Sequence, residues 1–425
     1  MSLLALVALH AQATVLVVKE YGVNATYATI NAALAASANN DTIVVYDKPS
    51  GQPWLENLTI DKNLTFLHPN QGTRFKAPGE ITVVPKAGMD LYFVGWDMNT
   101  KSITATATGA TATSSNRAKI TVSDCINVVN INLSLDWIDA RVFYNQTNIT
   151  GSIFLRHGIA VANVLTNGGI QINRESTTAA QADSVIISGN KARWCWFDSE
   201  ESGLIANNYF YNDNGSGNYW DPGISNALHI RYHNQAATRT TWVVNNTITN
   251  IGACCTANRM ALTIRYAGNV SNIRIINNII YASEGGNTQT YGIYGATGTP
   301  NSNIGTPYIS HNYINTVATT NYTTFSENNE LNYKSSASNA FGTIDTWGRA
   351  ASGNTNLINK GNYLGQYYDI DLTRNDIGTY GGPYSIDNYL AGGVSKGKVL
   401  FIDIQHQLTN LNQILNAKAA AGSKF

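Results

Sequence analysis

Three stretches of the sequence share one pattern: TWVVNNTITN at Thr241–Asn250, IRIINNIIYA at Ile273–Ala282 and PYISHNYINT at Pro307–Thr316. Each contains a short apolar run, a polar pair that ends in asparagine, and a second apolar run. The asparagines that end the pairs are Asn246, Asn278 and Asn312, at intervals of 278 − 246 = 32 and 312 − 278 = 34 residues. A near-constant interval with differing connections is typical of a solenoid, in which each repeat buries its apolar face against its neighbours.

The strands between these stretches also repeat. The run ALHIRY at Ala227–Tyr232 recurs almost unchanged as ALTIRY at Ala261–Tyr266. Three similar runs are GIQINR at Gly169–Arg174, CWFDSE at Cys195–Glu200 and YGIYG at Tyr291–Gly295. Each central turn of the solenoid is therefore expected to contain an opening strand of this type, followed by an asparagine-bearing strand.

We assign the repeated asparagines a structural role. The turns of a parallel β-solenoid need residues that tolerate left-handed backbone angles, and stacked amides can form hydrogen bonds from one rung to the next. We therefore expect Asn208, Asn246, Asn278 and Asn312 to stabilise the turns rather than to take part in catalysis.

The N-terminal region predicts a helix that covers the open end of the solenoid. Tyr27, Ile30 and Leu34 have helical spacing, and Thr26 precedes them in a position to cap the helix. A strand at Thr42–Tyr46 follows. Such a helix would shield the core of the first rung from water.

Three segments of this region carry a resemblance to a known family. They are YATINAAL at Tyr27–Leu34, DTIVV at Asp41–Val45 and ENLTIDKNLTF at Glu56–Phe66. They resemble the start of the pectin-lyase-like, right-handed parallel β-helix family. The resemblance implies the fold and does not indicate a substrate.

The C-terminal region resembles the closing segment of many exported bacterial β-helix proteins. The matching residues are Ile358, Asn359, Gly361, Asp369, Asp371, Arg374, Asp376, Ile377, Gly378 and Tyr380. We expect Arg374 to pair with a nearby aspartate and so to hold the last rung. The remaining residues include a strand at Val399–Ile404, and they predict a small β appendage that covers the last rung.

The sequence thus predicts an all-β protein with a right-handed parallel β-helix at residues 14–390. An N-terminal helix caps this solenoid, and residues 391–425 form the C-terminal β appendage. Residues 1–13 are apolar and end in Ala11-Gln12-Ala13, which has the form of a signal-peptidase site. We interpret them as an export signal, with a buried first strand as the alternative, and we expect the protein to be secreted or at the cell surface.

The amino-acid composition limits the classes of partner that the protein can attract. Hydrophobic residues make up 43% of the chain, but charged residues make up only 13%, against about a quarter in an average soluble domain. Lys and Arg together number 27, as do Asp and Glu, so the formal net charge is zero. No global field attracts nucleic acid or an anionic membrane. The apolar run Leu3–Val18 is too short to span a bilayer comfortably, and none of the four cysteines has zinc-finger spacing.

The ALxIRY strands carry the candidate site. Alternation places Leu228 and Ile230 inside, and it places His229, Arg231, Thr263 and Arg265 outside. On consecutive rungs, about 4.8 Å apart, Arg231 and Arg265 would share one outward column and repel each other by about 1 kcal/mol in water. An anion is expected to compensate them. It is either Asp198 on the preceding rung, in a solvated ion network, or the carboxylate of a bound uronic acid, held bidentately.

The candidate residues define two alternative functions. We take Arg231, His229, Arg265 and Asp198 as candidate catalytic residues. The candidate substrate-binding residues are Arg174, Trp196, Glu200, Tyr232, Tyr266 and Tyr294. The first function is an exported protein that binds extracellular, acidic polysaccharide, and whether it also cleaves the polymer by a lyase-type mechanism is left open. The second is a non-enzymatic surface, adhesin or assembly protein in which the β-helix is a scaffold.

The family resemblance extends to chemistry. Uronate lyases on this fold use an arginine or lysine as the base, with calcium or further cations neutralising the acid, which would make Arg231 or His229 the base here. No acidic cluster suited to calcium is evident, because Asp198, Glu200 and Glu201 form the only close group. The signal for a glycoside hydrolase is weaker, since outward residues at i and i+2 lie about 6.6 Å apart, which suits an inverting carboxylate pair only marginally.

Overall fold

The computed structural model is a parallel β-helix built from three sheets. It describes residues 13–20, 26–69, 74–76, 79–173, 184–199, 201–213, 224–232, 240–251, 258–266, 272–283, 290–297, 306–317, 322–325, 332–337, 342–349, 351, 353–369, 371–385, 397–404 and 417–423. Within these residues the sheets of the solenoid are entirely parallel, as expected for a chain that winds in one direction. The predicted fold class is confirmed.

The first sheet, sheet A, runs the length of the solenoid. Its strands are β1 (Val15–Val18), β2 (Asp41–Val45), β4 (Leu64–Leu67), β7 (Asp90–Val94), β10 (Ala118–Ser123), β12 (Ile138–Phe143), β14 (His157–Val161), β16 (Ser184–Ser188), β19 (Ser202–Ala206), β22 (Thr241–Val244), β25 (Ile273–Ile276) and β28 (Tyr308–Ser310).

The second sheet, sheet B, contains the opening strands. They are β3 (Leu58–Ile60), β6 (Ile81–Val83), β9 (Ile103–Ala105), β11 (Ile126–Leu133), β13 (Gln146–Leu155), β15 (Gly169–Ile172), β18 (Trp194–Asp198), β21 (Ile224–Tyr232), β24 (Asn258–Tyr266) and β27 (Thr290–Thr297). Two short strands, β5 (Phe75–Lys76) and β8 (Trp96–Asp97), join it beside β11.

The third sheet, sheet C, is shorter. It contains β17 (Lys191–Ala192), β20 (Tyr209–Asn212), β23 (Thr247–Asn250), β26 (Ile279–Ala282), β29 (Tyr313–Thr316) and β30 (Tyr333–Ser335). Each of the three repeated stretches thus consists of a strand of sheet A, a polar turn and a strand of sheet C. Near the C-terminus, β31 (Gly397–Ile404) pairs in an antiparallel manner with β32 (Ala417–Ser423), which gives the predicted appendage its β structure.

The core lies between the three sheets and is filled by inward-facing apolar side chains. On sheet A, register places Ile43, Phe66, Phe93 and Val122 in one column, and all four are fully buried. The rings of Phe66 and Phe93 stack with centroids 5.8 Å apart. Stacking of like residues on successive rungs makes each rung depend on its neighbours, as expected for a solenoid.

The N-terminal helix, α1 (Ile30–Ala36), starts later than the sequence suggested. The predicted cap at Thr26 is wrong: Thr29 is the N-cap, and its hydroxyl accepts a hydrogen bond from the backbone N–H of Ala32 at 3.1 Å. Ile30 and Leu34 are buried against the core, so the helix covers apolar surface near the first rungs.

Two charged residues of the following rung fix this helix at both ends. The carboxylate of Glu56 accepts hydrogen bonds from the N–H groups of Ile30 and Asn31, at 3.0 and 2.9 Å. The ammonium of Lys62 donates to the carbonyl oxygens of Leu34 and Ser37, at 3.0 and 2.7 Å. A negative charge at the N-terminus and a positive charge at the C-terminus complement the helix dipole.

A ladder of asparagines connects eight successive turns between sheets A and C. Its members are Asn145, Asn163, Asn190, Asn208, Asn246, Asn278, Asn312 and Asn332. Each of the first seven donates its backbone N–H and its side-chain Nδ2 to the Oδ1 of the next, as Asn246 does to Asn278 at 2.9 Å for both bonds. The hydrogen bonding from rung to rung that was predicted for Asn208, Asn246, Asn278 and Asn312 is confirmed.

Tolerance of left-handed angles belongs to a different residue. The residue before each of the first seven ladder asparagines has the positive φ, which is 54° at Asn207, 55° at Asn245, 60° at Asn277 and 55° at His311. The prediction had given one asparagine both tasks. In the structure the first residue of the pair makes the turn, and the second forms the ladder.

Residues 342–349, 351, 353–369 and 371–385, which we call the C-terminal strap, lie along the turn between sheets A and C. The Nδ2 of Asn207 donates to the carbonyl oxygens of Thr379 and Gly381, at 2.9 and 2.6 Å. The Nδ2 of Asn245 donates to the Oδ1 of Asn375 at 2.9 Å. The turn-forming asparagines therefore also bind the strap.

Apolar contacts and close packing hold the strap against the sheets. Leu357 and Ile377 pack on Ile279 and Tyr313 of sheet C. Gly378 has a φ of 104°, and a Cβ added there would lie 2.6 Å from the Cδ1 of Ile279. The strap follows the solenoid surface so closely that a side chain at this position would force it away.

The role predicted for Arg374 is wrong. Its guanidinium donates to the carbonyl oxygens of Gly361 and Lys360, at 2.7 and 3.4 Å, rather than to a carboxylate. These are bonds within the strap, and the strap contacts the middle rungs of the solenoid. Arg374 therefore closes a loop of the strap instead of holding the last rung.

At the C-terminal end of the solenoid, Tyr322 and Phe325 pack against the core. The N–H of Ile293 donates to the carbonyl oxygen of Tyr322 at 3.0 Å, and Thr324 donates back to Ile293 at 3.1 Å. Residues 322–325 thus cover part of the last rung, and covering by the appendage stays a prediction. Among the described residues, no helix has the length and apolar character that crossing a membrane would require.

Candidate functional site

The outer face of sheet B carries two parallel columns of side chains. Register on successive strands places Gln171, Trp196, His229, Thr263 and Tyr294 side by side, and we call this set the aromatic column. The charged column consists of Asp198, Arg231 and Arg265. The predicted alternation holds, because Leu228, Ile230, Leu262 and Ile264 are fully buried in the core.

The charged column contains an internal ion pair. The Nη1 of Arg231 lies 3.5 Å from the Oδ2 of Asp198, and the two side chains are 31% and 16% exposed. Arg265 is the register partner of Arg231 on the next rung, and it is half-buried. Both groups keep partial contact with water, so the attraction between them is partly screened.

His229 points away from the core but is buried, with 2% of its surface exposed. Burial lowers the pKa of its imidazole to about 4, and the nearby charge of Arg265 acts in the same direction. Arg231 adds to this effect, while Asp198 opposes it. His229 is therefore neutral at pH 7, and it lies within electrostatic reach of the whole charged column.

Thr263, the next residue of the aromatic column, is fully buried. Within the described part of the chain, its hydroxyl has no hydrogen-bond partner. The middle of the aromatic column, at His229 and Thr263, is thus covered, although strand alternation predicted that both would be outside. A ligand on this face meets the ends of the aromatic column and the charged column.

Pairs of aromatic side chains lie on both sides of His229 and Thr263. The rings of Trp194 and Trp196 are 4.6 Å apart and tilted by 31°, and those of Tyr291 and Tyr294 are 5.3 Å apart and tilted by 44°. All four are partly exposed. Three rungs separate the two pairs, which is about 14 Å at the usual strand spacing.

Not every predicted site residue can be placed. Arg174 and Glu200 lie outside the described residues. Tyr232 and Tyr266 are register partners at the ends of β21 and β24, but their side chains are not described. The structure brings together Trp196, Asp198, His229, Arg231, Arg265 and Tyr294.

Two features of the site were not predicted. Gln171 belongs to the aromatic column, and its Nε2 donates to the Oδ1 of Asn173 at 2.5 Å. Alignment of GIQINR with ALHIRY places Gln171 opposite His229, so the position of Gln171 in this column could have been predicted from the sequence. Glu201 was grouped with Asp198, but it is buried in a pair with His157, with 2.8 Å between Oε1 and Nδ1.

The described residues contain no group of three or more His, Cys, Asp or Glu side chains that could hold a metal ion. The structure therefore offers no ligand set for the calcium that the family resemblance implied. Comparison of the chain with known protein families, with curated proteins and with solved structures finds no significant match in any of the three. Fold and side-chain geometry are the basis for the function proposed below.

Proposed function

We propose that this protein binds an acidic extracellular polysaccharide along the outer face of sheet B. The observation that carries the proposal is the charged column of Asp198, Arg231 and Arg265 directly beside the aromatic column. In a chain with only 13% charged residues, stacked arginines are an unusual concentration of positive charge.

The two columns match the two chemical features of such a polymer. Guanidinium groups bind carboxylates through paired hydrogen bonds, and Arg231 and Arg265 repeat at the rung spacing of about 4.8 Å. This distance is comparable to the length of one sugar residue in an extended chain. The apolar faces of sugar rings can pack on Trp196 and Tyr294, which lie on either side of His229 and Thr263 in the column.

The sequence supports the extracellular setting. Residues 1–13 have the pattern of an export signal, and Glu56–Phe66 resembles the start of the pectin-lyase-like family. Secretion or attachment to the cell surface, and membership of that family, are parts of this proposal.

Binding is better supported than cleavage. A lyase needs a base for the proton next to the carboxylate, and Arg231 and His229 are the candidates. Arg231 forms an ion pair with Asp198, and an arginine guanidinium in a protein has no free lone pair with which to accept a proton. The low pKa of His229 leaves its imidazole neutral but makes it a weak base. We therefore propose binding, and cleavage by a lyase-type reaction is an outcome that the experiment can detect.

A non-enzymatic scaffold is the second candidate. The observations that favour it are the pairing of Asp198 with Arg231 and the burial of His229 and Thr263. In that case the columns would stabilise the sheet, and the surface would serve adhesion or assembly.

The test is affinity electrophoresis of the protein through gels that contain polygalacturonate, alginate or hyaluronan, with dextran as a neutral control. We expect retardation by acidic polymers and none by dextran. The same mixtures are followed for ultraviolet absorption, because lyase products are unsaturated. If no acidic polymer retards the protein, the proposed binding function is wrong and the scaffold function is favoured.

A further inference from the structure

Asp198 restricts which acidic polymer the site accepts. Its carboxylate lies on the rung next to Arg231 and 3.5 Å from the guanidinium. Along the axis of the solenoid, the charged column therefore presents a negative group, then two positive groups, and then the small residue Ala296 on β27. The negative group is part of the surface that the polymer would contact, because Asp198 is 16% exposed.

A polymer with a carboxylate on every sugar fits this sequence of charges poorly. With sugars at about the rung spacing of 4.8 Å, such a chain would place a carboxylate beside Asp198 whenever others lie beside Arg231 and Arg265. Like charges that meet across an interface are strongly unfavourable. The repulsion would be felt on a face where water is partly excluded, as the burial of His229 shows.

A neutral sugar beside Asp198 avoids this repulsion and adds a favourable contact. A carboxylate accepts hydrogen bonds from sugar hydroxyls, and the ring of Trp196, two residues from Asp198, is partly exposed to pack on the sugar face. At the opposite end, Tyr294 and Ala296 likewise offer no charge to a carboxylate.

Resting on the function proposed above, we infer that the preferred ligand is an acidic heteropolysaccharide in which sugars that carry a carboxylate are separated by neutral ones. Asp198 is then the residue that discriminates against polymers of uniformly high charge. Arg231 and Arg265, one rung apart, then share the single carboxylate that falls next to them.

The test uses polygalacturonate of one chain length with graded methyl esterification, which changes carboxylate density and little else. Affinity is measured by titration calorimetry at one ionic strength. Wild-type protein is expected to bind most tightly at intermediate esterification. Asp198→Asn is expected to move the maximum to the fully charged polymer and to raise affinity for it about tenfold, since a like-charge contact is removed.

Asp139→Asn is the matched control. Asp139 also pairs with an arginine at 3.5 Å, namely Arg141, but it lies on sheet A. This variant should bind as the wild type does. Affinity that rises steadily with carboxylate density in the wild type, or that Asp198→Asn leaves unchanged, would overturn the inference while the binding function stands. Absence of binding across the whole series would overturn both.

Discussion

Asn246 donates two hydrogen bonds to a single atom, the Oδ1 of Asn278, one from its backbone N–H and one from its side-chain Nδ2, both at 2.9 Å. Its own Oδ1 accepts the equivalent pair from Asn208. Every member between the two ends of this ladder is therefore both donor and acceptor, and the loss of such a member affects two neighbours.

We expect Asn246→Ala to lower the free energy of unfolding by about 2–4 kcal/mol, because buried donors of Asn208 lose their acceptor. The measurement is the denaturant midpoint at equilibrium. Asn31→Ala, at an exposed helix position, is the control, and it should change stability by less than about 0.5 kcal/mol. Equal effects of the two substitutions would show that the ladder does not stabilise the solenoid.

The C-terminal strap depends on the turn-forming asparagines. Asn207→Gly keeps the left-handed backbone but removes the bonds to Thr379 and Gly381. We expect faster amide hydrogen exchange in residues 375–385, corresponding to about 1–2 kcal/mol of lost local stability. Amides of sheet B in the same sample are the internal control. Unchanged exchange in the strap would mean that apolar packing alone holds it.

The charged groups at the ends of helix α1 should contribute measurably. Lys62→Met removes the donor to the carbonyl oxygens of Leu34 and Ser37, and we expect a loss of about 1 kcal/mol and a lower Tm. Lys119→Met, at an exposed position of sheet A, should leave the Tm nearly unchanged. If both substitutions lower the Tm equally, loss of surface charge rather than of the helix contact is responsible.

The strap also predicts a dependence of stability on pH. Burial, together with the nearby charge of Asp376, raises the pKa of Asp369 to about 6, against about 3.9 in the unfolded chain. Between these values the folded state binds more protons than the unfolded state, so the free energy of unfolding falls as pH rises from about 4 to 6. The raised pKa of Asp376 adds to the same slope.

Asp369→Asn is expected to reduce this slope, as measured by urea unfolding at several pH values. Asp371→Asn is the control, because a hydrogen bond from Thr373 lowers the pKa of Asp371. The stability that Asp371 contributes is lost only as pH falls below its ordinary range, so its substitution should leave the slope between pH 4 and 6 intact. If the slope is unchanged in Asp369→Asn, Asp369 is not the cause of the pH dependence.

The sequence predicted the solenoid because three turns repeat at 32 and 34 residues. The ladder members Asn145, Asn163 and Asn190 were not predicted. The intervals from Asn145 to Asn163, from Asn163 to Asn190 and from Asn190 to Asn208 are 18, 27 and 18 residues. Loops of different length between the strands leave each rung intact, but they abolish the constant spacing of the asparagines in the sequence. The stacked geometry, and not the spacing, is what these turns share.

The site was predictable only in part, for a similar reason. Alternation on one strand and stacking of ALHIRY on ALTIRY were enough to place Asp198, Arg231 and Arg265 in one column. Burial of His229 depends on what covers the outer face, which no local pattern encodes. The position of the strap could not be predicted from the sequence either, because the contact between Asn245 and Asn375 joins residues 130 positions apart.

The most direct test of the proposed function is the affinity of the charged column for a partly methyl-esterified polygalacturonate, measured by titration calorimetry. Arg231→Ala combined with Arg265→Ala should weaken binding at least about tenfold. Arg141→Ala, which removes a similarly exposed arginine from sheet A, should bind like the wild type. If the double variant retains wild-type affinity, or if Arg141→Ala weakens binding equally, the outer face of sheet B is not the polysaccharide site.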